Sequence, residues 1–134
     1  MKPIPPISKY MTTLPVSVEK SRSLAEMRDL MKAKGIRHVP VLDQGKVLGV
    51  VSERDIHLVS AMQGVDAKSM TAEAIMQRDV FAVKPESTLD EVAEQMAEHK
   101  YGSAVVLHNG TLVGIVTTVD ICRALSDLLH TRLR

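Results

Sequence analysis

A shift of 65 positions lays this chain on itself without a gap from Met11 to Ile121. It places Met11 on Met76, Val18 on Val83, Leu24 on Leu89, Glu26 on Glu91 and Met31 on Met96. Further along it places Val41-Leu42 on Val106-Leu107, Gly45 on Gly110, Gly49 on Gly114 and Asp55-Ile56 on Asp120-Ile121. Such a period marks one supersecondary unit used twice. A single copy of about 55 residues is marginal alone, because small domains bury too little of their surface. The 134 residues are therefore expected to form two copies packed about a pseudo-twofold axis.

Both copies carry the same punctuation. A Val-containing stretch (Pro15 to Val18; Val80 to Val83) reads as a strand. Ser23-x-x-Glu26 and Thr88-x-x-Glu91 then read as capping boxes, in which hydroxyl and carboxylate satisfy the first helical amides reciprocally. The helices that follow space Leu24, Met27 and Met31, or Leu89, Val92 and Met96, along one face. Gly35 ends the first helix, whereas Lys100 stands where the second would want its glycine. Two β runs come next, His38 to Leu42 with Val47 to Val51, and Ser103 to Leu107 with Leu112 to Val116. Asn109-Gly110 between the second pair is a strong hairpin signal. A second helix opens at Ser52-x-x-Asp55 or Thr117-x-x-Asp120. The fold class is α/β, with β-α-β-β-α order in each copy. The expected division is 8–64, a connection at 65–72, and 73–130.

Composition excludes several function classes. Seventeen basic and sixteen acidic residues leave a net charge of +1, too little to attract a phosphate backbone or an anionic membrane. Aromatic residues make up 2% of the chain, which withholds the stacking platforms of single-strand binders. Nucleic acid and membrane are not expected partners. Val, Leu, Ile, Ala and eight Met must build the core. The lone Cys122 precludes an intrachain disulfide and suits a reducing, cytoplasmic setting. The N-terminal residues do not read as a signal peptide, and no apolar run reaches eighteen residues. His57, His99, His108 and His130 lack metal-ligand spacing. There is no nucleotide-hydrolysing P-loop and no recognisable nucleophile–base frame. The expectation is a protein without catalytic residues, metal or cofactor.

Gly49-Val50-Val51-Ser52-Glu53-Arg54-Asp55 and Gly114-Ile115-Val116-Thr117-Thr118-Val119-Asp120 close the two copies. With Ile36 to Asp43 and the Met-Thr of Tyr10 to Thr13, they make the chain resemble a free-standing pair from the CBS (cystathionine beta-synthase) domain family. The resemblance implies a cleft between the copies with two pseudo-equivalent positions for an adenosine-type ligand. That ligand would be AMP, ADP, ATP or S-adenosylmethionine. Asp120 and Asp55 would hold ribose hydroxyls, and Thr117, Thr118, Ser52 and Thr12 would contact ribose or phosphate. Arg37, His38 and Arg54 would meet phosphate, and adenine would slide along the strand starts at Val39 and Pro40. The family also implies a regulatory role toward a target protein and a homodimer. The apolar positions Ile56, Leu58, Val59, Ile121, Leu125, Leu128 and Leu129 on the post-motif helices are the expected dimer contacts.

Plainer readings stand beside these. Ser/Thr-x-x-Asp is an ordinary helix cap, and a residue can cap and bind together. Arg37 and His38 fit a solvated pair at a loop end as well as a phosphate site, and Arg54 fits an exposed helical arginine. Cys122 is expected to be a buried small side chain. A constitutive interaction scaffold with an empty cleft is the alternative function. Copy two offers only Gly102-Ser103 where copy one has Arg37-His38. One phosphorylated nucleotide per chain is therefore expected, with tighter binding below about pH 6.5 as His38 protonates.

Overall fold

The structure is a computed structural model that describes residues 3–133. A short 3-10 turn (Ile7–Lys9) and strand β1 (Thr12–Thr13) come first. Copy one follows as β2 (Val18–Glu19), α1 (Leu24–Lys34), β3 (His38–Asp43), β4 (Lys46–Ser52) and α2 (Glu53–Ser60). A one-turn helix, α3 (Ala72–Ile75), then precedes copy two. That copy is β5 (Ala82–Val83), α4 (Leu89–His99), β6 (Ser103–His108), β7 (Thr111–Thr117) and α5 (Thr118–Arg132). The β-α-β-β-α order is thus present twice. β2 runs parallel to β3, and β5 parallel to β6, while each hairpin is antiparallel.

Local chemistry accounts for most of these elements. α1 buries Leu24, Met27 and Met31 and starts on the complete Ser23–Glu26 box. The hairpins turn on Gln44-Gly45 and Asn109-Gly110, all four residues at positive φ, the backbone that matches the twist of the flanking strands. Each hairpin carries the same irregularity near the end of its first strand, at Val41/Leu42 and Val106/Leu107. The first strands are shorter than expected. Only Val18–Glu19 and Ala82–Val83 join a ladder; Pro15, lacking an N–H, could not have donated to one.

Two local expectations are corrected. Thr88 makes no side-chain bond to the α4 amides. Its hydroxyl is engaged by Asp90, which holds that carboxyl below its ordinary range. Lys100 ends α4 in the left-handed conformation at φ 58, as Gly35 ends α1 at φ 64. The stop is kept without the glycine, against the steric preference of a side chain for negative φ.

The chain folds into two compact units, and they are cut differently from the repeats. One is continuous, Val16–Val80; the other is composite, joining the chain before Val16 to the chain after Val80. The segment ahead of each copy therefore serves as a strap on the sheet of the other. In the composite unit Ile7 N donates to Ser87 O at 2.7 Å, Ser8 N to Pro85 O at 3.1 Å, and Leu89 N to Pro5 O at 2.9 Å. The continuous unit repeats these bonds 65 positions away. There Ala72 N donates to Arg22 O at 2.8 Å, Glu73 N to Lys20 O at 3.0 Å, and Leu24 N to Met70 O at 2.7 Å. Each strap ends against the last hairpin strand, with Thr12 opposite Ile115 and Gln77 opposite Val50.

These dockings explain two glycines. A Cβ at Gly49 would stand 2.6 Å from Gln77 O and 2.8 Å from Met76 Sδ. One at Gly114 would strike Met11 and come within 3.1 Å of Thr12 O. The straps lie where only a bare backbone admits them. Ile7 is fully buried beneath one strap, and Ala72, Ile75 and Met76 join the core beneath the other. Tyr10 donates to Asp127 Oδ2 at 2.6 Å, and Arg132 to Pro3 O at 3.0 Å, tying the first strap to α5.

The post-motif helices are less apolar outside than expected. Ile56 is buried, while Val59, Ile121 and Leu128 pack against the core of their own unit. Leu58, Leu125 and Leu129 remain exposed. Cys122 is exposed, not buried, because α5 turns its inner face at Asp120 and Ala124. Among the described residues no helix is long and apolar enough to cross a membrane, and no cluster of metal-ligating side chains occurs.

Two stability outcomes follow, each read from urea unfolding. Gly49→Ala should lose about 2 kcal/mol, in the range for overpacking, and more than Gly114→Ala, whose nearest obstacle is a flexible methionine. Lys100→Gly should gain roughly 0.5 to 1 kcal/mol by removing a side chain from the left-handed cap.

Candidate functional site

Each motif occupies the junction where a hairpin strand ends and a helix begins. Ser52 and Thr117 hold extended backbone, with φ −101 and −116, so their side chains turn back over the first helical turn. Ser52 N donates to Asp55 Oδ2 at 2.9 Å, and Asp55 N to Ser52 Oγ at 3.1 Å. Thr117 N donates to Asp120 Oδ2 at 2.8 Å, with Thr117 Oγ1 on the same oxygen at 3.2 Å. Both aspartates are thus caps as well as candidate ligand groups. Their carboxylates are held in place by backbone amides.

The neighbouring strand completes each junction. His38 pairs with Ser52, and Ser103 with Thr117. Glu53 N donates to Arg37 O at 2.8 Å, and Thr118 N to Gly102 O at 3.3 Å. The continuous unit therefore gathers Arg37, His38, Ser52, Glu53, Arg54 and Asp55. The composite unit gathers Gly102, Ser103, Thr117, Thr118 and Asp120. Helix amides offer little to an anion here: in α2 those of Glu53 and Asp55 are already bonded. Any phosphate would depend more on side-chain charge.

The remaining expected residues are distributed as follows. Thr12 lies not with copy one but on β1 of the composite unit, opposite Ile115 and close in register to the Thr117 junction. Arg37 and Arg54 are exposed. Val39 belongs to the core of the continuous unit, and Pro40, on the other face of β3, is also fully buried. Neither presents a free side chain at the junction.

Two features were missed in the sequence. Gln77, the repeat counterpart of Thr12, donates Nε2 to Asp55 Oδ1 at 3.1 Å. Carrying Thr12 across the 65-residue shift would have found it. Phe81 and Tyr101 stack at 4.9 Å with 16° between their planes. They sit beside the composite junction, since Phe81 O accepts from Val105 N and Tyr101 precedes Gly102. Sparse aromatics argued against any stacking surface, yet two of the three rings meet here. Their repeat counterparts, Val16 and Ile36, are aliphatic and pack on the other core.

His38 departs from expectation. Burial is the largest influence and pushes its imidazole below the ordinary range; Asp55 pulls it up, Arg37 pushes it down, and Glu53 pulls it up. In the free protein the neutral ring is therefore favoured more than in an ordinary histidine. The tightening of binding expected below that pH shifts to more acidic conditions.

The family model for the CBS domain matches residues 7–60 and 72–127, most of the chain in two copies. The chain belongs to the CBS domain family. It is 30% identical over 115 residues to the CBS domain-containing protein YhcV of Bacillus subtilis, covering 86% of this chain and 81% of that one. Among solved structures, a candidate acetoin utilization protein (AcuB) from Vibrio cholerae superposes with TM-score 0.85 at 32% identity, covering 96% and 95% of the two chains. The CBS domain pair of protein MJ0100, in complex with 5′-methylthioadenosine and S-adenosyl-L-methionine, superposes with TM-score 0.85 at 27% identity, covering 93% and 98%. The match to inosine-5′-monophosphate dehydrogenase of Korarchaeum cryptofilum spans only 21% of that enzyme.

The lowered pKa of His38 fixes the sign of a pH effect on this CBS pair. Its native pKa lies below the unfolded value near 6.5. Between the two values the unfolded chain binds more protons, so stability falls as pH drops through that window. An imidazole titration by NMR should place His38 below the ordinary imidazole value near 6.5, and His38→Asn should flatten that part of the stability–pH curve.

Proposed function

We propose that this CBS pair is a regulatory module that binds an adenosine-type ligand, AMP, ADP, ATP or S-adenosylmethionine, and turns over no substrate. The observation that carries the reading is the pair of carboxylates, Asp55 and Asp120, each fixed by a backbone amide at a strand-to-helix junction. A carboxylate held in this way can accept from both hydroxyls of a ribose without first losing side-chain freedom. Ser52, Thr12, Thr117 and Thr118 supply hydroxyls near the two carboxylates. Arg37, Arg54 and His38 supply the basic groups, and Val39 and Pro40 are left with backbone contacts alone. The adenosine chemistry of the MJ0100 complex supports the same ligand class here.

Regulation follows if the ligand favours one conformation over another, because its differential affinity is then passed to a target protein. A second copy docking on the exposed Leu58, Leu125 and Leu129 would give the homodimer. The exposed Cys122 suits a reducing cytoplasm.

Calorimetry with AMP and with S-adenosylmethionine tests the reading. Asp120→Asn should weaken binding more than tenfold, because a charge-assisted pair is lost, while Asn retains an oxygen for the Thr117 amide and the fold persists. Affinities for both ligands that survive the Asp55→Asn plus Asp120→Asn double variant would show the module to be a scaffold instead.

A further inference from the structure

The two junctions share a backbone and differ in one contact that bears directly on their carboxylates. Strap bonds recur in both units with nearly the same lengths, 2.7 and 2.8 Å at the Ile7 and Ala72 amides. Each strap also ends in antiparallel register on its own hairpin strand, Thr12 on Ile115 and Gln77 on Val50. The structure has therefore brought positions 12 and 77 to equivalent places, and the sequence has put different side chains there. Gln77 is long enough to reach Asp55 and donates to Oδ1 at 3.1 Å, while Ser52 N occupies Oδ2. Both oxygens of Asp55 are engaged. Thr12 is shorter, and Asp120 Oδ1 has no hydrogen-bond partner among the described residues, although the residue is only 8% exposed.

We infer that Gln77 is an intramolecular gate on Asp55, so that the diol of an adenosine ligand is taken by Asp120 and enters the Asp55 junction only when the Gln77 amide is displaced. The inference rests on the nucleoside reading above and gives the two junctions different work. A neutral diol goes to the composite unit, although the basic Arg37–His38 pair lies in the continuous one. The gate is a bond to a carboxylate near the surface, of the strength that shifts an affinity about tenfold when it must be broken. Gln77 pairs with Val50 through its backbone alone, and its side chain is exposed, so Gln77→Ala leaves the sheet contact in place.

The experiment uses the full chain and adenosine, with 2′,3′-dideoxyadenosine as the probe lacking the diol. Calorimetry should give one adenosine per wild-type chain, lost in Asp120→Asn, with the dideoxy compound at least tenfold weaker. Adding Gln77→Ala to Asp120→Asn should restore adenosine binding at least fivefold, and adding Asp55→Asn to that pair should remove it again. Two equal adenosine sites in the wild type, or no restoration by Gln77→Ala, would overturn the gate while leaving the nucleoside reading intact. No binding of adenosine by any variant would overturn the nucleoside reading itself, and the gate's role with it. A ligand-free measurement separates the contact from the ligand: the Gln77 side-chain amide signals in a nitrogen–proton spectrum should move on Asp55→Asn. Signals that stay in place would overturn the gate.

Discussion

Everything in this fold rests on the approach of a strap to a glycine. A hairpin with one helix on either side cannot close its own sheet edge, and here the missing cover comes from the segment that precedes the other repeat. Met11 over Gly114 and Met76 over Gly49 are the points of contact, and the backbone bonds on either side set the register. The motif glycines read in sequence as family marks beside a ligand site. Their physical reason is packing: a methyl group at Gly49 would meet the strap's backbone, and one at Gly114 would displace the Met11 side chain. The junctions depend on this indirectly, because the strap's last residue, Thr12 or Gln77, is delivered beside the motif by the same docking.

Duplication with a shared backbone lets side chains diverge at fixed places. Arg37-His38 corresponds to Gly102-Ser103 in the repeat, Val16 and Ile36 to Phe81 and Tyr101, and Gln77 to Thr12. The consequence is two junctions of the same geometry with different chemistry. One is basic, aliphatic and internally satisfied; the other lacks the basic pair at its strand start and is flanked by stacked rings. Burial sharpens the difference, since the histidine of the basic junction is pushed below its ordinary pKa by the same packing that fixes its strand.

What could be read in advance was whatever short-range pattern decides. The hairpins were legible because Asn109-Gly110 accepts positive φ, and α1 because Ser23 and Glu26 bond each other. Both capping aspartates were legible for the same reason. The misses have equally local causes. Asp90 took the Thr88 hydroxyl that Glu91 was expected to complement, and Lys100 accepted the backbone that only a glycine was expected to adopt. The straps could not be read, since nothing near Ile7 or Ala72 says which sheet will cover it. Gln77 was hidden with them, because its meaning comes from Asp55, 22 residues away.

The crossed straps also impose an order on synthesis. The continuous unit, Val16–Val80, holds all its own partners and can close as soon as its last residue leaves the ribosome. The composite unit cannot. Its first strap emerges before the continuous unit and must wait for β7 and α5, more than a hundred residues later, with Tyr10 and Asp127 separated by 117 positions. Until then Ile7 and Met11 have no surface to cover, and the nascent chain carries an unpaired apolar strap alongside a finished unit. Such long-range closure is slow, so the first strap is the last of these elements to find its place although it is made before the sheet it covers.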